Sequence, residues 1–186
     1  MSLSSPSDAH FIDGPRLYLR EVRPSDVNET YYRWMNDPEV TRYLESRFYP
    51  NSIEILQDYV AQRLGDHNNV FLAIIRKEDE RHIGNIQLGP INWIHRFADV
   101  GLLIGAKDCW GQGFATEAIG MVTQYAFGKL NLQRLTAGCY ANNLGSAKAF
   151  LRNGWQEEGR RKNHCFCEGR YVDVILVGIT NQEFRL

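Results

Sequence analysis

The sequence predicts an α/β (α+β) fold, in which a mixed central β-sheet carries helices on both faces. Residues 97–105, 114–130 and 134–140 have the patterns of a strand, a helix and a strand, an order that favours a parallel crossover. Residues 70–76 and 82–88 are apolar runs separated by a charged turn, which is typical of an antiparallel hairpin. Parallel and antiparallel pairs in one chain predict a mixed sheet.

The first third of the chain is expected to supply one strand and three helical segments. Residues 16–22 alternate like a half-buried strand. The turn at residues 24–26 is expected to cap a helix with its apolar face over residues 27–35. A second short helical stretch is expected after residues 37–38, and residues 51–52 are suited to cap a third helix.

The C-terminal part is predicted to end the sheet. Residues 146–152 form a short predicted helix closed by Asn153 and Gly154, and residues 171–180 form an apolar terminal strand. Because no linker or repeat interrupts the pattern, we expect residues 1–186 to form one domain, with residues 1–14 as a flexible N-terminal extension.

The composition indicates a protein with one substantial core and a small partner. The chain has 186 residues, of which 44% are hydrophobic, and 21 Lys and Arg balance 22 Asp and Glu. A net charge of -1 gives no reason to expect nucleic acid or a membrane as the main partner. No apolar run approaches the roughly 20 residues of a membrane span. We therefore expect a cytoplasmic protein that acts on a small molecule or a peptide.

The four cysteines are expected to be free thiols in a reducing compartment. Cys109, Cys139, Cys165 and Cys167 are irregularly spaced, in a chain that has ample core without disulfides. His164 lies close to the last two, but two thiols one residue apart without a second ligand pair are a weak zinc signal. We expect no metal there and a strand with two small hydrophobic side chains.

A Gly-x-Gly loop stands between the predicted strand and helix of the crossover. Gly111 and Gly113 leave room for consecutive N–H groups to converge on phosphate oxygens, and the dipole of the following helix attracts an anion. No lysine follows the second glycine, and Thr116 stands where a dinucleotide loop has its third glycine. The loop therefore predicts a phosphate-bearing ligand of another kind.

Several longer segments follow one another in a specific order and spacing. They are RLYLREVRPSD, WMNDPEV, VGLLIG followed by WGQGFATEA, NNLGSAKAFLRNGW and EGRYVDVILVGI. With these segments the chain resembles the GNAT superfamily of acyl-CoA-dependent N-acetyltransferases, and within it the branch of the ribosomal-protein N-terminal alanine acetyltransferases. Residues 83–95 also look similar to acetyltransferases of nucleotide-linked amino sugars, such as those of pseudaminic acid synthesis.

The resemblance implies acetyl-CoA as the cofactor and a pair of splayed strands that form the acyl-CoA cleft. The pantetheine arm would lie along one strand, and the glycine loop would take the pyrophosphate. Asn143, at the mouth of this cleft, is equally an ordinary helix-capping residue. The residues assigned to the cofactor are Leu102, Leu103, Ile104, Trp110, Gly111, Gln112, Gly113, Phe114, Ala115, Thr116, Asn143 and Ser146.

The chain departs from the family pattern at two positions. Asp108 stands where many members carry Gln or Arg, and we expect this carboxylate to point away from the phosphates. Phe150 occupies the position of the tyrosine that protonates the departing thiolate. Ser146, or a water that it holds, is expected to replace that acid, and Tyr140 and Tyr171 are alternatives.

Acetyl transfer to an amine needs a neutral amine, an oriented carbonyl, a stabilised oxyanion and a proton for the thiolate. A backbone N–H of residues 102–104 would stabilise the oxyanion, and Asp99 is the first candidate base. Glu117 is more plausibly a support for the loop. The residues assigned to the acceptor are Trp34, Asn85, Gln87, Trp93, His95 and Arg96, of which the two tryptophans would serve equally as core or homodimer contacts.

The sequence thus predicts an N-acetyltransferase that works by direct attack in a ternary complex. The favoured acceptor is a small molecule such as a nucleotide-linked amino sugar, and the alternative is a protein N-terminus. An acidic groove would favour a basic peptide, whereas contacts near His95 would favour a nucleotide sugar. A non-catalytic acyl-CoA-binding module is the alternative from another class, because Phe150 removes the usual acid.

Overall fold

The computed structural model describes residues 10–184, which form one eight-stranded sheet and four α-helices. The strand order is β1-β2-β3-β4-β5-β6-β8-β7. The strands are β1 (Ile12–Asp13), β2 (Leu17–Glu21), β3 (Val70–Arg76), β4 (Arg81–Leu88), β5 (Phe97–Ile104), β6 (Arg134–Tyr140), β7 (Gln156–Cys167) and β8 (Arg170–Thr180); the helices are α1 (Glu29–Asn36), α2 (Ile53–Ala61), α3 (Phe114–Gly128) and α4 (Leu144–Leu151).

The sheet is mixed, as predicted. Strands β5 and β6 pair in parallel, and the other neighbours among the described strands pair antiparallel. The parallel pair is joined through α3, whose buried residues Ala118, Ile119 and Val122 have the spacing of one helix face. The predicted hairpin is β3 and β4, in register from Val70 opposite Leu88.

The helices cover both faces of the sheet. Residues of α1 and α2 line a cavity together with the alternate residues Asn85 and Gln87 of β4 and residues 99–103 of β5, whereas no residue of α3 or α4 lines it. Because successive side chains of a strand point to opposite faces, α3 and α4 pack on the other face. This division separates the glycine loop at the start of α3 from the cavity.

Local hydrogen bonds explain where the first helices begin. The Asn28 side chain accepts the N–H groups of Thr30 and Tyr31, so α1 starts at Glu29 and the predicted turn is a separate 3-10 helix, Pro24–Asp26. Helix α2 begins after Ser52, as expected.

The short helix expected after residues 37–38 does not form. The Asp37 carboxylate accepts the N–H of Glu39 at 2.9 Å and its carbonyl accepts the N–H of Thr41, so the chain makes turns instead. A 3-10 helix, Glu45–Phe48, follows and borders the cavity. The prediction was wrong because an aspartate that starts a helix also starts a turn.

Two strands were not predicted in full. Strand β7 lies at the edge of the sheet and is almost entirely exposed, so its polar residues show no alternation. Of the expected extension, residues 1–9 lie outside the described residues, but Ile12 pairs with Leu19, so the ordered chain begins before residue 15.

The four cysteines are free, as expected, and Cys139 and Cys167 are buried. Within residues 10–184, no three His, Cys, Asp or Glu side chains are placed to hold a metal ion. In the same residues, none of the helices has the length and apolar character needed to cross a membrane.

Candidate functional site

The loop before α3 presents a row of N–H groups. Gly111 and Gly113 have φ angles of 74° and 83°, and an added Cβ at Gly111 would meet no atom within 4 Å. The first hydrogen bond into the helix runs from the Glu117 N–H to the Gly113 carbonyl. Within the described chain, the N–H groups of residues 111–116 have no hydrogen-bond acceptor. The open loop fits the phosphates of a ligand such as coenzyme A.

Glu117 ties this loop to the start of β2. Its carboxylate accepts the N–H groups of Arg16 and Leu17 at 2.8 and 3.0 Å, and the Arg16 Nε at 2.8 Å. The Arg16 guanidinium in turn donates to the Gln112 carbonyl at 3.0 Å. These contacts support the expectation that Glu117 holds the loop rather than reacts.

Asp108 is turned away from the loop's N–H groups. Its carboxylate pairs with the Arg81 guanidinium at 2.8 and 2.5 Å. This ion pair lowers the pKa of the Asp108 carboxyl. The carboxylate therefore points away from the anion site. This is the orientation that we expected, because a carboxylate would repel the phosphates.

Strands β5 and β6 diverge after a short contact. Their pairing ends at Asp99 opposite Thr136, while β5 stays paired with β4 as far as Ile104. The gap between Leu102 and β6 is the splay that the resemblance implies.

The backbone of β5 faces this gap at every second residue. The Asp99 carbonyl accepts a bond from the Gly89 N–H, and the Gly105 N–H donates to the Ile83 carbonyl, so odd-numbered residues bond to β4. The alternation of an antiparallel ladder then directs the N–H groups of Leu102 and Ile104 towards β6. The indole N–H of Trp110 binds the Ile104 carbonyl at 2.8 Å, which closes the far end of the gap.

A cavity of about 960 Å³ opens between the sheet and the helices α1 and α2. The floor comes from β4, β5 and β6, on both sides of the point where the strands diverge. The aromatic, polar and charged side chains of the lining, with three residues of β5, are Tyr31, Glu45, Tyr59, Asn85, Gln87, Asp99, Gly101, Leu102, Leu103, Thr136, Tyr140, Glu158, Arg161 and His164. The lining combines these groups with aliphatic side chains such as Leu56, Val174 and Leu176, which suits a small molecule that has both polar and apolar parts.

Asp99 lies where the two halves of the sheet separate. The Thr136 hydroxyl hydrogen-bonds to its carboxylate, and both side chains line the cavity. Leu102 and Leu103 lie beside it on the cavity wall. The predicted base thus lies on the cavity wall, on the same strand as the predicted pantetheine contacts.

Only part of the predicted acceptor set lines the cavity. Asn85 and Gln87 do, but Trp34 is buried, with its ring 5.2 Å from that of His82. The indole N–H of Trp93 binds Asn68. We find Trp93 and the following residues 95–96 outside the cavity, because the β4–β5 turn carries them past the end of the sheet.

Tyr140 closes the end of the cavity that lies near α4. Its hydroxyl donates to the Glu45 carboxylate at 2.5 Å and accepts from Arg47 at 3.0 Å. Burial, together with the hydrogen bond to Glu45, raises the pKa of Tyr140. Glu45 and Tyr31 were not predicted, since neither stands in a motif; the apolar face that includes Tyr31 was the only signal.

The Asn143 side chain acts as a helix cap. Its Oδ1 accepts the Ser146 N–H at 3.2 Å, and the Ser146 hydroxyl lies 3.4 Å from the Cys139 sulfur. Neither residue lines the cavity. Phe150 is 2% exposed, with its ring 4.7 Å from that of Trp155, so the residue in the tyrosine position is part of the core.

Comparison with known proteins gives the family. Residues 16–156 match the family described as acetyltransferase (GNAT) domain. The uncharacterized N-acetyltransferase p20 of Bacillus licheniformis is 29% identical over 175 residues, which cover 91% of this chain and 95% of that protein. Spermidine N(1)-acetyltransferase of Vibrio cholerae is 31% identical over 119 residues, which cover 63% of this chain and 68% of that protein.

A solved structure has the same fold. The crystal structure of spermidine N-acetyltransferase from Vibrio cholerae in complex with CoA and spermine aligns with a TM-score of 0.82 at 26% identity, over 90% of this chain and 97% of that chain. The family match covers most of the sequence, including the glycine loop and the diverging strands. The chain therefore belongs to the GNAT family of N-acetyltransferases, enzymes that use acetyl-CoA as the acetyl donor.

Proposed function

We propose that this N-acetyltransferase acetylates a primary amine of a small molecule bound in the cavity, by direct attack in a ternary complex. The observation that carries the proposal is the position of Asp99. Its carboxylate lines the cavity at the point where β5 leaves β6, three residues before Leu102 on the same strand. A pantetheine arm between the strands would bring the thioester to this point from the other face.

The chain's own groups can supply each requirement of the transfer. The N–H groups of residues 111–116 hold the pyrophosphate, and those of Leu102 and Ile104 orient the thioester carbonyl and stabilise its oxyanion. Asp99 binds the ammonium group and takes its proton, so that the amine nitrogen attacks the carbonyl carbon. The attacking nitrogen gives up its second proton as the C–S bond breaks, and the departing sulfur receives a proton, so the products are the amide and the free thiol.

We assign that last proton to Ser146 or to a water that it holds. Tyr140 is less suitable, because its O–H already donates to Glu45 at 2.5 Å. Tyr171 is 62% exposed to solvent on the edge hairpin of β7 and β8. Of the three hydroxyl groups, that of Ser146 has only a thiol as its side-chain partner.

The charges of the cavity support two kinds of acceptor. Arg161 and His164 would face the phosphates of a nucleotide-linked amino sugar, the acceptor that we favour. Glu45, Asp99 and Glu158 would bind the ammonium groups of a polyamine or a basic peptide N-terminus. The polyamine is the second candidate, because the Vibrio cholerae relative is a spermidine N(1)-acetyltransferase.

The test is the release of free thiol from acetyl-CoA with amino-sugar nucleotides, N-terminal peptides and polyamines as acceptors. We expect release with one class, and loss of about 100-fold in kcat/KM for Asp99→Asn at neutral pH, with unchanged acetyl-CoA affinity. Tyr171→Phe is the matched surface control. Unaltered turnover in Asp99→Asn would refute the role of the carboxylate.

The cellular setting follows from the same proposal. Four free thiols and the need for acetyl-CoA are consistent with the cytoplasm. A homodimer stays a prediction, which light scattering of the purified protein would check.

A further inference from the structure

Two neighbouring amides on β4 face the cavity with their polarity already determined. Asn85 and Gln87 are two residues apart, so their side chains lie on the same face of the strand, about 7 Å apart. An amide can present either its oxygen or its NH₂ group to a ligand. Here a hydrogen bond to a neighbouring protein side chain occupies one end of each amide, so the other end is the one turned to the ligand.

Asn85 presents its NH₂ group. The Nε2 of His82 lies 2.8 Å from the Gly84 carbonyl oxygen and 2.9 Å from the Asn85 Oδ1. Because a carbonyl oxygen only accepts, this ring nitrogen carries the proton, and the Asn85 oxygen must be the end that faces it. Asn85 is 5% exposed and lines the cavity. Its single side-chain oxygen is used by His82, so its NH₂ group is the end available to a ligand.

Tyr31 extends this arrangement. Its side chain lines the same cavity as Asn85, whose NH₂ group is the end turned to the cavity because its oxygen is used by His82. The Tyr31 hydroxyl can therefore donate its hydrogen to a ligand in the cavity, beside the Asn85 NH₂ group. Burial raises the pKa of Tyr31, so the hydroxyl keeps its hydrogen.

Gln87 has the opposite polarity. The Asp66 carboxylate accepts from the Asn69 Nδ2 at 2.6 Å, and the Asn69 Oδ1 accepts from the Gln87 Nε2 at 2.9 Å. A carboxylate only accepts, so the order of donors and acceptors along this chain is set by Asp66. The Gln87 oxygen is left as the end that can accept from a ligand.

We propose that this pair selects an amine that also carries an oxygen: Asn85 and Tyr31 donate to a hydroxyl or carbonyl oxygen of the acceptor, and Gln87 accepts from an N–H or O–H about 7 Å away. The inference rests on the proposed function and deepens it. A protonated polyamine offers N–H donors alone, and so would leave the buried Asn85 donor unpaired. Amino sugars and other hydroxylated amines satisfy both ends.

The same donors could instead bind the thioester carbonyl of acetyl-CoA, and the experiment separates the two. Initial rates are measured with 2-aminocyclohexanol, with cyclohexylamine, which lacks only the hydroxyl, and with spermidine. The variants are Tyr31→Phe and Asn85→Leu, with Tyr125→Phe on α3 as the control that keeps the cavity intact. Acetyl-CoA affinity and thermal stability are measured for each.

We expect kcat/KM to be about tenfold higher for 2-aminocyclohexanol than for cyclohexylamine or spermidine. Tyr31→Phe and Asn85→Leu should each reduce this preference about three- to tenfold, through the KM of the hydroxylated amine, with unchanged acetyl-CoA affinity. The control should keep the full preference. Tyr31→Phe is close to isosteric, so it tests the inference even if Asn85→Leu is unstable.

Three results would overturn the inference. Acetylation of both ring amines at equal rates would contradict it and leave the proposed function standing. Equal losses for both amines, or weaker acetyl-CoA binding in Tyr31→Phe, would assign the donors to the thioester. Absence of acetylation of every amine, by protein that binds acetyl-CoA, would instead refute the proposed function and remove the basis of the inference.

Discussion

Replacing Glu117 with alanine should loosen the attachment of the glycine loop to β2 without removing a reacting group. Its carboxylate accepts the N–H groups of Arg16 and Leu17 and the Arg16 guanidinium, at 2.8 to 3.0 Å. The Glu117 side chain is 12% exposed and that of Arg16 is 50% exposed. The variant therefore leaves one backbone donor in a buried position and returns the other groups to water.

The size of the effect follows from these exposures. Leu17 is fully buried, and its unpaired N–H should cost about 1–3 kcal/mol. The exposed Arg16 groups and the lost carboxylate at the start of α3 should add roughly 1 kcal/mol. For a chain of 186 residues, a total of about 3 kcal/mol lowers Tm by about 6–12 °C. Glu117→Gln keeps an accepting oxygen and should lose only about 1 kcal/mol.

The assay is thermal and urea unfolding, together with titration of acetyl-CoA. Glu54→Ala is the matched control, because Glu54 is also in the first turn of a helix, α2, but is exposed. Acetyl-CoA affinity should fall in Glu117→Ala, since Arg16 also holds the Gln112 carbonyl. A Tm within about 2 °C of wild type, or a lost kcat with normal stability and affinity, would show that Glu117 acts in catalysis instead.

Three further predictions concern other parts of the molecule. Burial lowers the pKa of His82 from 6.5, so the unfolded chain binds the proton first, and the free energy of unfolding should fall as the pH drops below about 6.5. Urea titrations at pH 7.5 and 5.5 should show this dependence in wild type and much less of it in His82→Gln; an equal dependence in both would contradict the assignment. Gly101→Val should place a side chain where a Cβ meets no atom within 4 Å, and so reduce acceptor kcat/KM at least about tenfold with unchanged acetyl-CoA affinity; normal kinetics would show that the acceptor does not cross Gly101. Phe150→Tyr should cost about 1–3 kcal/mol in urea unfolding, because it buries a hydroxyl in a residue that is 2% exposed. Its kcat should not rise, and a large rise would mean that wild type lacks an acid.

Local sequence patterns were enough to predict the glycine loop and the β5–α3–β6 crossover. Gly111 and Gly113 have the positive φ angles that glycines permit, and α3 begins directly after them. The divergence of β5 from β6 was expected from the family resemblance. Asp99 was identified because it stands on that strand.

The acceptor side was predicted less well because it is assembled from distant segments. Trp34 was assigned to the acceptor, but its position on α1 turns it into the core against His82. Only the end of strand β7, around Cys165 and Cys167, was predicted, since a polar edge strand is held by its pairing with β8 and not by burial of alternate residues. Glu45 comes from a 3-10 helix that follows the turns formed where a short helical stretch was predicted.

The sequence by itself determined the family, the cofactor loop and the β5–α3–β6 crossover, because each depends on residues that are neighbours along the chain. The tertiary structure decided which side chains face the acceptor and with which polarity. Asn85 presents its NH₂ group and Gln87 its oxygen only because His82 and the Asp66–Asn69 pair occupy the other ends. The amides have the same chemistry in the sequence, and the direction of their hydrogen bonds is set by the partners that folding brings to them.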